Sequence, residues 1–283
     1  MANRTVPART LPERAGRAVY LVFCTAVLLF LIAPLLVFVP LSFNVEPYFT
    51  FTEGMLRLDP DAYSLRWYRS VAGDEEWLRA LVNSLVIGAA ATALATVLGT
   101  VAALGLSSAA MPGRTAIMGM LLSPIVTPLI ISAVGMFFFY SEIGLAQTHL
   151  GLILAHTTLG APFVVITVTA TLSGFDRNLL RASASLGAGP LTGFRRIQLP
   201  LIAPGVVSGA LFAFATSFDE VVTVLFIGGL EQRTIPRQMW SGIREEISPA
   251  ILAVATVLLA FALLFMATVE WLRRRGSRES AAA

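Results

Sequence analysis

The sequence contains no lysine, and all 20 of its basic residues are arginines. A P-loop nucleotide site requires the lysine of G-x-x-x-x-G-K-[ST], and a Schiff-base enzyme requires a lysine amine, so both kinds of site are excluded. The single cysteine, Cys24, excludes an intramolecular disulfide. Two histidines, His149 and His156, are too few for a structural zinc site and are expected to be packing or interface residues. We therefore expect no metal and no cofactor.

Charge is also scarce, at 13% of 283 residues against about 25% in an ordinary soluble domain. Hydrophobic residues make up 56% of the chain, which excludes a water-soluble globule. A bilayer core about 30 Å thick is crossed by a helix of about 20 apolar residues. Six segments reach that length: 18–43, 80–113, 115–140, 150–172, 200–229 and 247–269. The sequence predicts an all-α integral membrane protein with six transmembrane helices over residues 18–271.

The distribution of arginine predicts the orientation, because cytoplasmic loops carry an excess of Arg. With the N-terminus inside, thirteen of the twenty arginines and four acidic residues lie on the cytoplasmic side. The other seven arginines lie outside, with eleven acidic residues. Residues 1–17 and the polar tail 272–283 are then cytoplasmic. Topology explains the basic composition, so no nucleic acid is needed as a partner. In the outer segment 44–79, Trp67, Tyr68 and Trp77 are predicted interfacial anchors.

The loop at about 173–200, between spans four and five, is the most informative stretch. Leu179, Leu180, Ser183 and Leu186 recur at helical spacing, and Gly187 followed by Gly189-Pro190 supplies a helix stop. A second short helix is expected before Pro200, which would open the fifth span. A solvated connector obeying the positive-inside rule is the alternative. A connector has no need of two ordered helices, so the pattern favours a docking surface.

The loop resembles the E-A-A-x3-G-x9-I-x-L-P motif of membrane permease subunits of bacterial ATP-binding-cassette importers. The spacing from Ala182 to Gly187, Ile197, Leu199 and Pro200 fits completely. Arg181 replaces the opening Glu of the motif, and Ser183 replaces its second Ala. In that family this loop is the coupling helix that docks into the ATPase subunit. The segments 64–68, 83–87, 98–104, 217–222 and 234–240 resemble the spermidine/putrescine branch, particularly its second permease subunit.

The resemblance implies a type I importer fold in the bacterial inner membrane, surrounded by lipid. It implies a separate ATP-binding subunit, working as a dimer, a second permease subunit, and a periplasmic or extracellular solute-binding protein. The chain itself would catalyse no reaction. The expected solute is a polyamine, and related permeases for other amines, opines, aminobutyrate or aminoethylphosphonate are alternatives. Residues 51–62 look longer than the usual family loop and have no assigned role.

Two adjacent acids, Asp219 and Glu220, fall inside the fifth predicted span. An acid at the centre of a membrane helix costs at least about 2.5 kcal/mol and usually faces a cavity or a partner. They could attract an ammonium group in the transport pathway. Alternatively, they cap a helix, pair with Arg233 or Arg237, or are solvated at an irregular break. Both interpretations stay open at this point.

Two other classes of protein compete with an importer subunit. An integral-membrane enzyme would show clustered His, Asp or Glu at the membrane face, and only Asp219 with Glu220 qualifies, without a partner base. A stand-alone channel or carrier would have no use for a docking loop, and secondary carriers often show inverted repeats.

Overall fold

The computed structural model describes residues 11–108, 111–245 and 248–282. These residues are mostly helical, with one isolated β-bridge between Asn44 and Tyr63 and a 3-10 turn at Pro60–Ala62. The α-helices of these ranges are α1 (Leu11–Leu41), α2 (Glu53–Leu56), α3 (Arg66–Gly73), α4 (Glu75–Leu106), α5 (Arg114–Val126), α6 (Leu129–Glu142), α7 (His149–Ser173), α8 (Asn178–Ser185), α9 (Pro190–Gly193), α10 (Leu199–Phe218), α11 (Val222–Ile227), α12 (Ile235–Glu245) and α13 (Pro249–Ala282). They form two compact units, one within residues 74–245 and the other from the described parts of the flanking segments, 11–73 with 248–282.

Among the described residues, four helical runs are long and apolar enough to cross a membrane: α1 from Gly16, α4, α7, and the run Pro190–Phe218 that contains α9 and α10. The bent pair α5 and α6 makes a fifth if it is one crossing. The apolar part of α13, Pro249–Leu264, is shorter. Ile247, where the sixth predicted span begins, lies outside the described residues. The predicted all-α membrane fold is confirmed, and the count of six spans stays a prediction.

The third predicted span is present as two helices that meet at 104°. Thr127 is extended, with ψ of 133°, because the ring of the following Pro128 disfavours the helical region for the residue before it. Pro128 also lacks the N–H that would continue the hydrogen-bond ladder. The chain therefore leaves the helix at Val126 and starts a new one at Leu129.

The unit of residues 74–245 is built on close packing of α4, α7 and α10. Glycines allow the contact: a Cβ at Gly99 of α4 would lie 2.7 Å from the Val164 Cβ of α7. A Cβ at Gly209 of α10 would lie 2.7 Å from the Val164 Cα. Small residues of this kind let membrane helices approach closely and pack by van der Waals contact. The backbones of α7 and α10 therefore meet directly at Gly209.

Replacing Gly209 with valine is expected to destabilise this unit, because the branched side chain would overlap the α7 backbone at Val164. Overpacking costs about 1 to 3 kcal/mol, which lowers the thermal unfolding midpoint of the detergent-solubilised chain. Gly105→Val is the matched control, because Gly105 lies in spanning helix α4 and a Cβ there meets nothing within 4 Å. Equal midpoints for both variants would contradict the direct contact.

In the other unit, the segment after α1 is organised by buried Asn44. The Asn44 side-chain amide donates to the Tyr48 carbonyl at 3.1 Å. The Asn44 backbone carbonyl accepts the Trp67 indole N–H at 2.8 Å. Trp67 is buried, so its prediction as an interfacial anchor is wrong: its N–H is used to close this segment. Residues 51–62 form α2 and the 3-10 turn, which pack beside Leu41 through Met55 and Ala62.

Candidate docking loop and intramembrane acids

The first half of the loop is helix α8 with a defined start and stop. The Asp176 carboxylate accepts the N–H of Asn178 at 2.9 Å, satisfying one of the free donors at the helix start. At the other end, Gly187 has a φ of 84° and donates its N–H to the Ala184 carbonyl at 3.0 Å. The Ala188 N–H donates to the Ser183 carbonyl at 3.0 Å. These two bonds form a Schellman motif, so the predicted stop at Gly187 is confirmed.

Helix α8 rests on α9 through Gly193, a contact that the sequence analysis missed. A Cβ at Gly193 would lie 3.3 Å from the Ser183 Oγ and 3.4 Å from the Leu180 Cδ2. The Ser183 hydroxyl donates to the Leu180 carbonyl at 2.8 Å, so its polar group is satisfied inside α8. Serine therefore fits where the motif has alanine, because it is small and its hydroxyl already has a partner.

The second half of the loop differs from the prediction of a separate short helix before Pro200. Helix starts at Pro190, in the first turn of α9, and continues through a π-helical segment at Phe194–Gln198 into α10. Within this segment the Leu199 N–H donates to the Phe194 carbonyl, five residues earlier. Pro200 has no N–H to donate to a backbone carbonyl, and a wider turn of this kind accommodates the missing hydrogen bond. Pro190 therefore opens this helical run, and Pro200 lies inside it.

The loop exposes leucines that a helix would normally cover. Leu186, the last residue before Gly187, has 89% of its surface exposed, and Leu191 has 67%. Leu186 therefore leaves the face formed by Leu180 and Ser183, on which the sequence analysis placed it. Among the motif residues, Arg181, Ala182, Gly187, Leu199 and Pro200 are exposed, and Ile197 is half-buried.

The two acids lie at a break between α10 and α11, which corrects the uninterrupted fifth span over 200–229. Asp219 follows the last residue of α10 and is exposed at the break. Glu220 is buried, and its carboxylate accepts the Thr223 N–H at 2.7 Å. This bond satisfies a free donor at the start of α11. The capping alternative thus holds for Glu220, whereas the described residues give the Asp219 carboxylate no hydrogen bond or ion pair.

The arginines considered as partners of these acids are occupied elsewhere. Arg233 contacts the Glu76 carboxylate at 3.4 Å, and Arg237 donates to the Gly228 and Gly229 carbonyls at 3.0 and 2.7 Å. Burial, and secondarily the charge of Arg233, lower the pKa of Arg237. Pairing of Asp219 or Glu220 with either arginine is therefore not found among the residues described.

Each histidine contacts a different spanning helix. His156 is buried in α7, and its Nδ1 lies 2.7 Å from the Ser217 Oγ, two residues before Asp219. His149 Nε2 lies 3.0 Å from the Asn83 Oδ1 of α4. Asn83 also donates to the Glu231 and Arg233 carbonyls, at 2.8 and 2.9 Å. Both histidines thus join neighbouring helices, and no group of three metal-ligating side chains occurs among the described residues.

Residues 10–278 match the protein family described as the inner membrane component of binding-protein-dependent transport systems. The chain belongs to this family. It is therefore a multi-pass inner membrane permease subunit and not an enzyme, and the resemblance inferred from the docking loop is confirmed.

Among curated relatives, the spermidine/putrescine transport system permease protein PotC of Haemophilus influenzae is 30% identical over 255 residues, covering 90% of this chain and 96% of the relative. The putrescine transport system permease protein PotI of Escherichia coli is 32% identical over 237 residues, covering 81% of this chain and 82% of the relative.

Solved structures share the fold. A bacterial transporter that imports the acidic polysaccharide alginate aligns with a TM-score of 0.74 at 13% identity, over 94% of this chain and 99% of the other. An inward-facing MetNI methionine transporter aligns with a TM-score of 0.52 at 19% identity, over 78% and 95%. Both are ATP-binding-cassette transporters.

Proposed function

We propose that this permease forms half of the translocation pathway of an importer for a small cationic solute, a polyamine such as spermidine or putrescine. The names of PotC and PotI support the solute class. The exposed Asp219 carboxylate at the break after α10 suits an ammonium group, because it places a negative charge at the end of an apolar helix. Another amine, an opine, aminobutyrate or aminoethylphosphonate is the alternative.

The energy would come from outside the chain, because the sequence lacks the lysine of a nucleotide-binding P-loop. A dimeric ATP-binding subunit would hold the loop of residues 173–200 on the cytoplasmic side. ATP-driven closure of that dimer would move the loop and open the pathway outward. Hydrolysis would return it to the inward-open state. A second permease subunit would complete the pathway, and an outer solute-binding protein would deliver the solute.

The observation that carries the docking role is the exposed Leu186 at the end of an ordered helix. The Schellman motif fixes the backbone from which this side chain projects. Burial of a leucine side chain contributes about 1.5 to 3 kcal/mol to an association. The arginine-rich segments of the chain support cytoplasmic N- and C-termini, which place this tip on the side of the ATP-binding subunit.

Replacing Leu186 with serine is therefore expected to weaken binding of the purified ATP-binding subunit by about tenfold or more. Binding is measured on the detergent-solubilised permease by titration with that subunit. Leu230→Ser is the matched control, because Leu230 has 70% of its surface exposed in a loop predicted to face outward. A Leu186 variant that binds as tightly as the Leu230 variant would reject the docking role.

The solute is tested separately, with uptake of labelled putrescine and spermidine by cells that express the whole transport system. Excess unlabelled polyamine is expected to abolish uptake of the label, whereas aminobutyrate and aminoethylphosphonate are expected to leave it unchanged. Competition by either of these and not by polyamine would identify the alternative solute.

A further inference from the structure

A cavity of about 380 Å³ lies where α4 and α7 end, beside the start of α8. Leu104 of α4 and Leu172 of α7 contribute an apolar wall. Arg177, Arg181, Ser107 and Gln198 contribute polar groups. The cavity therefore joins the apolar ends of two spanning helices to a charged rim on the docking loop.

The two arginines of the rim lie four residues apart, which places them on the same side of the α8 start. Arg177 donates to the Ser107 carbonyl, and the Arg181 Nη1 lies 3.5 Å from the Asn178 Oδ1. The ion pairs found in the described parts of the chain involve other arginines. Asp176, the acid next to Arg177, accepts the Asn178 N–H. Both arginines therefore line the cavity, and among the described residues neither has a carboxylate within ion-pair distance.

This charge arrangement is unfavourable in the chain alone. Like charges four residues apart on a helix repel each other. The start of α8 adds the positive end of the helix dipole, where cations are disfavoured. An anion in the cavity would remove both penalties. A cationic solute would be repelled, so the cavity is not a site for the proposed cargo.

The chemistry favours a phosphate group attached to an apolar chain. A guanidinium group matches phosphate geometry with two parallel N–H bonds, and two guanidinium groups offer two such forks. Basic pockets between membrane helices on the cytoplasmic side bind phosphate-containing lipid headgroups. The wall formed by Leu104 and Leu172 supplies the apolar surface that a soluble anion would not need.

We propose that this cavity binds the phosphate headgroup of an anionic membrane lipid, with Arg177 and Arg181 as its ligands. The assignment of this cavity to the cytoplasmic leaflet rests on the proposed orientation of the chain. Because Arg181 belongs to α8 and Arg177 contacts the end of α4, a bound headgroup would hold the docking helix against a spanning helix. The lipid composition of the membrane would then affect how firmly α8 is positioned for docking.

The test measures lipid retention by the full chain without the ATP-binding subunit, so a failure of docking cannot affect it. The chain is placed in phosphatidylcholine nanodiscs with or without phosphatidylglycerol, and retained lipid is measured by native mass spectrometry. The double variant R177Q/R181Q is expected to retain about tenfold less phosphatidylglycerol, the loss of one or two charge-assisted hydrogen bonds. R177K/R181K keeps the charge without the fork and is expected to retain an intermediate amount.

R195Q/R196Q is the matched control, because these arginines are exposed on the same loop but do not line the cavity. Its phosphatidylglycerol retention is expected to equal that of the unmodified chain. Equal loss in both glutamine variants would overturn the proposal in favour of a diffuse basic surface. Displacement of the lipid by inorganic phosphate at low concentration would overturn the lipid as the source of the phosphate. Unchanged phosphatidylglycerol retention in R177Q/R181Q would overturn the proposal. If this variant also binds the ATP-binding subunit more weakly, the arginines pair with carboxylates of that subunit.

Discussion

Replacing Gly187 with valine is expected to weaken binding of the ATP-binding subunit about a hundredfold and to abolish uptake, while the chain still inserts into the membrane. Gly187 has a φ of 84°, a region that costs an ordinary residue about 1 to 2 kcal/mol and is least tolerant of β-branched side chains. If the valine leaves that region, the two hydrogen bonds that end α8 break and Leu186 loses its position at the tip. Loss of the Leu186 contact, up to about 3 kcal/mol, corresponds to the hundredfold change.

The effect of this substitution would be conformational and not steric, because a Cβ at Gly187 meets nothing within 4 Å. Gly189→Val separates the two explanations. Gly189 lies two residues away, also meets nothing within 4 Å, and has a φ of −67° that valine adopts without strain. Its variant is expected to bind normally.

Asparagine tolerates the left-handed region better than valine, so Gly187→Asn is expected to recover part of the binding. Binding of the ATP-binding subunit is measured by titration for all three variants, and uptake is measured in cells. If the Gly187→Val and Gly189→Val variants bind equally well, the turn has no part in docking.

The spanning helices could be predicted from sequence because the signal is simple: about 20 apolar residues without charge, a requirement of the bilayer itself. Their interruptions were harder to predict. Pro128 breaks the third span and Pro124 does not, although both lie in the same apolar run. Proline alone does not decide between a kink and a break, because neighbouring helices can satisfy the freed carbonyl. Packing between helices decides whether a proline kinks or breaks a helix, and this packing cannot be predicted from the sequence of one segment.

The docking loop shows the same division between local and tertiary information. The stop at Gly187 could be predicted, because a Schellman turn depends on a few consecutive residues. The contact of Gly193 with Leu180 and Ser183 could not, since it joins two helices across a turn. The exposure of Leu186 was also missed, because its helical spacing to Ser183 suggested a shared face. The Gly187 conformation turns the chain there and leaves Leu186 outward.

The break at Asp219 and Glu220 has a local signal that the hydropathy pattern conceals. Two adjacent acids end an apolar run, and Thr223 follows three residues after Glu220. A side-chain acceptor three residues before a backbone N–H is the arrangement of a helix cap. Length and hydropathy alone nevertheless favour one uninterrupted span over 200–229. In the structure the cap separates α10 from α11, and the two carboxylates acquire different environments.

These environments predict different consequences for neutralising each acid. Asp219→Asn is expected to lower kcat/KM for polyamine uptake about tenfold, because two unit charges 4 Å apart attract by about 4 kcal/mol at an effective dielectric constant near 20. Loss of about 1.4 kcal/mol of this attraction is enough to lower kcat/KM tenfold. Glu220→Gln keeps an oxygen to accept the Thr223 N–H and removes only the charge. The double neutral variant is expected to lower kcat/KM about a hundredfold if the Glu220 charge attracts the cation as strongly as the Asp219 charge does, and only about tenfold if Glu220 is a cap alone.

Structural damage is separated from the effect of charge by two further variants. Glu220→Ala removes the cap and is expected to destabilise the chain by about 1 kcal/mol in thermal unfolding, whereas Glu220→Gln leaves the midpoint unchanged. Glu142→Gln removes one exposed negative charge at the end of α6 and is expected to leave uptake unchanged. If the Asp219→Asn and Glu142→Gln variants take up polyamine with equal kcat/KM, Asp219 does not act in the transport pathway. If the double variant also transports normally, Glu220 acts only as a cap, and the cation must be attracted by other groups.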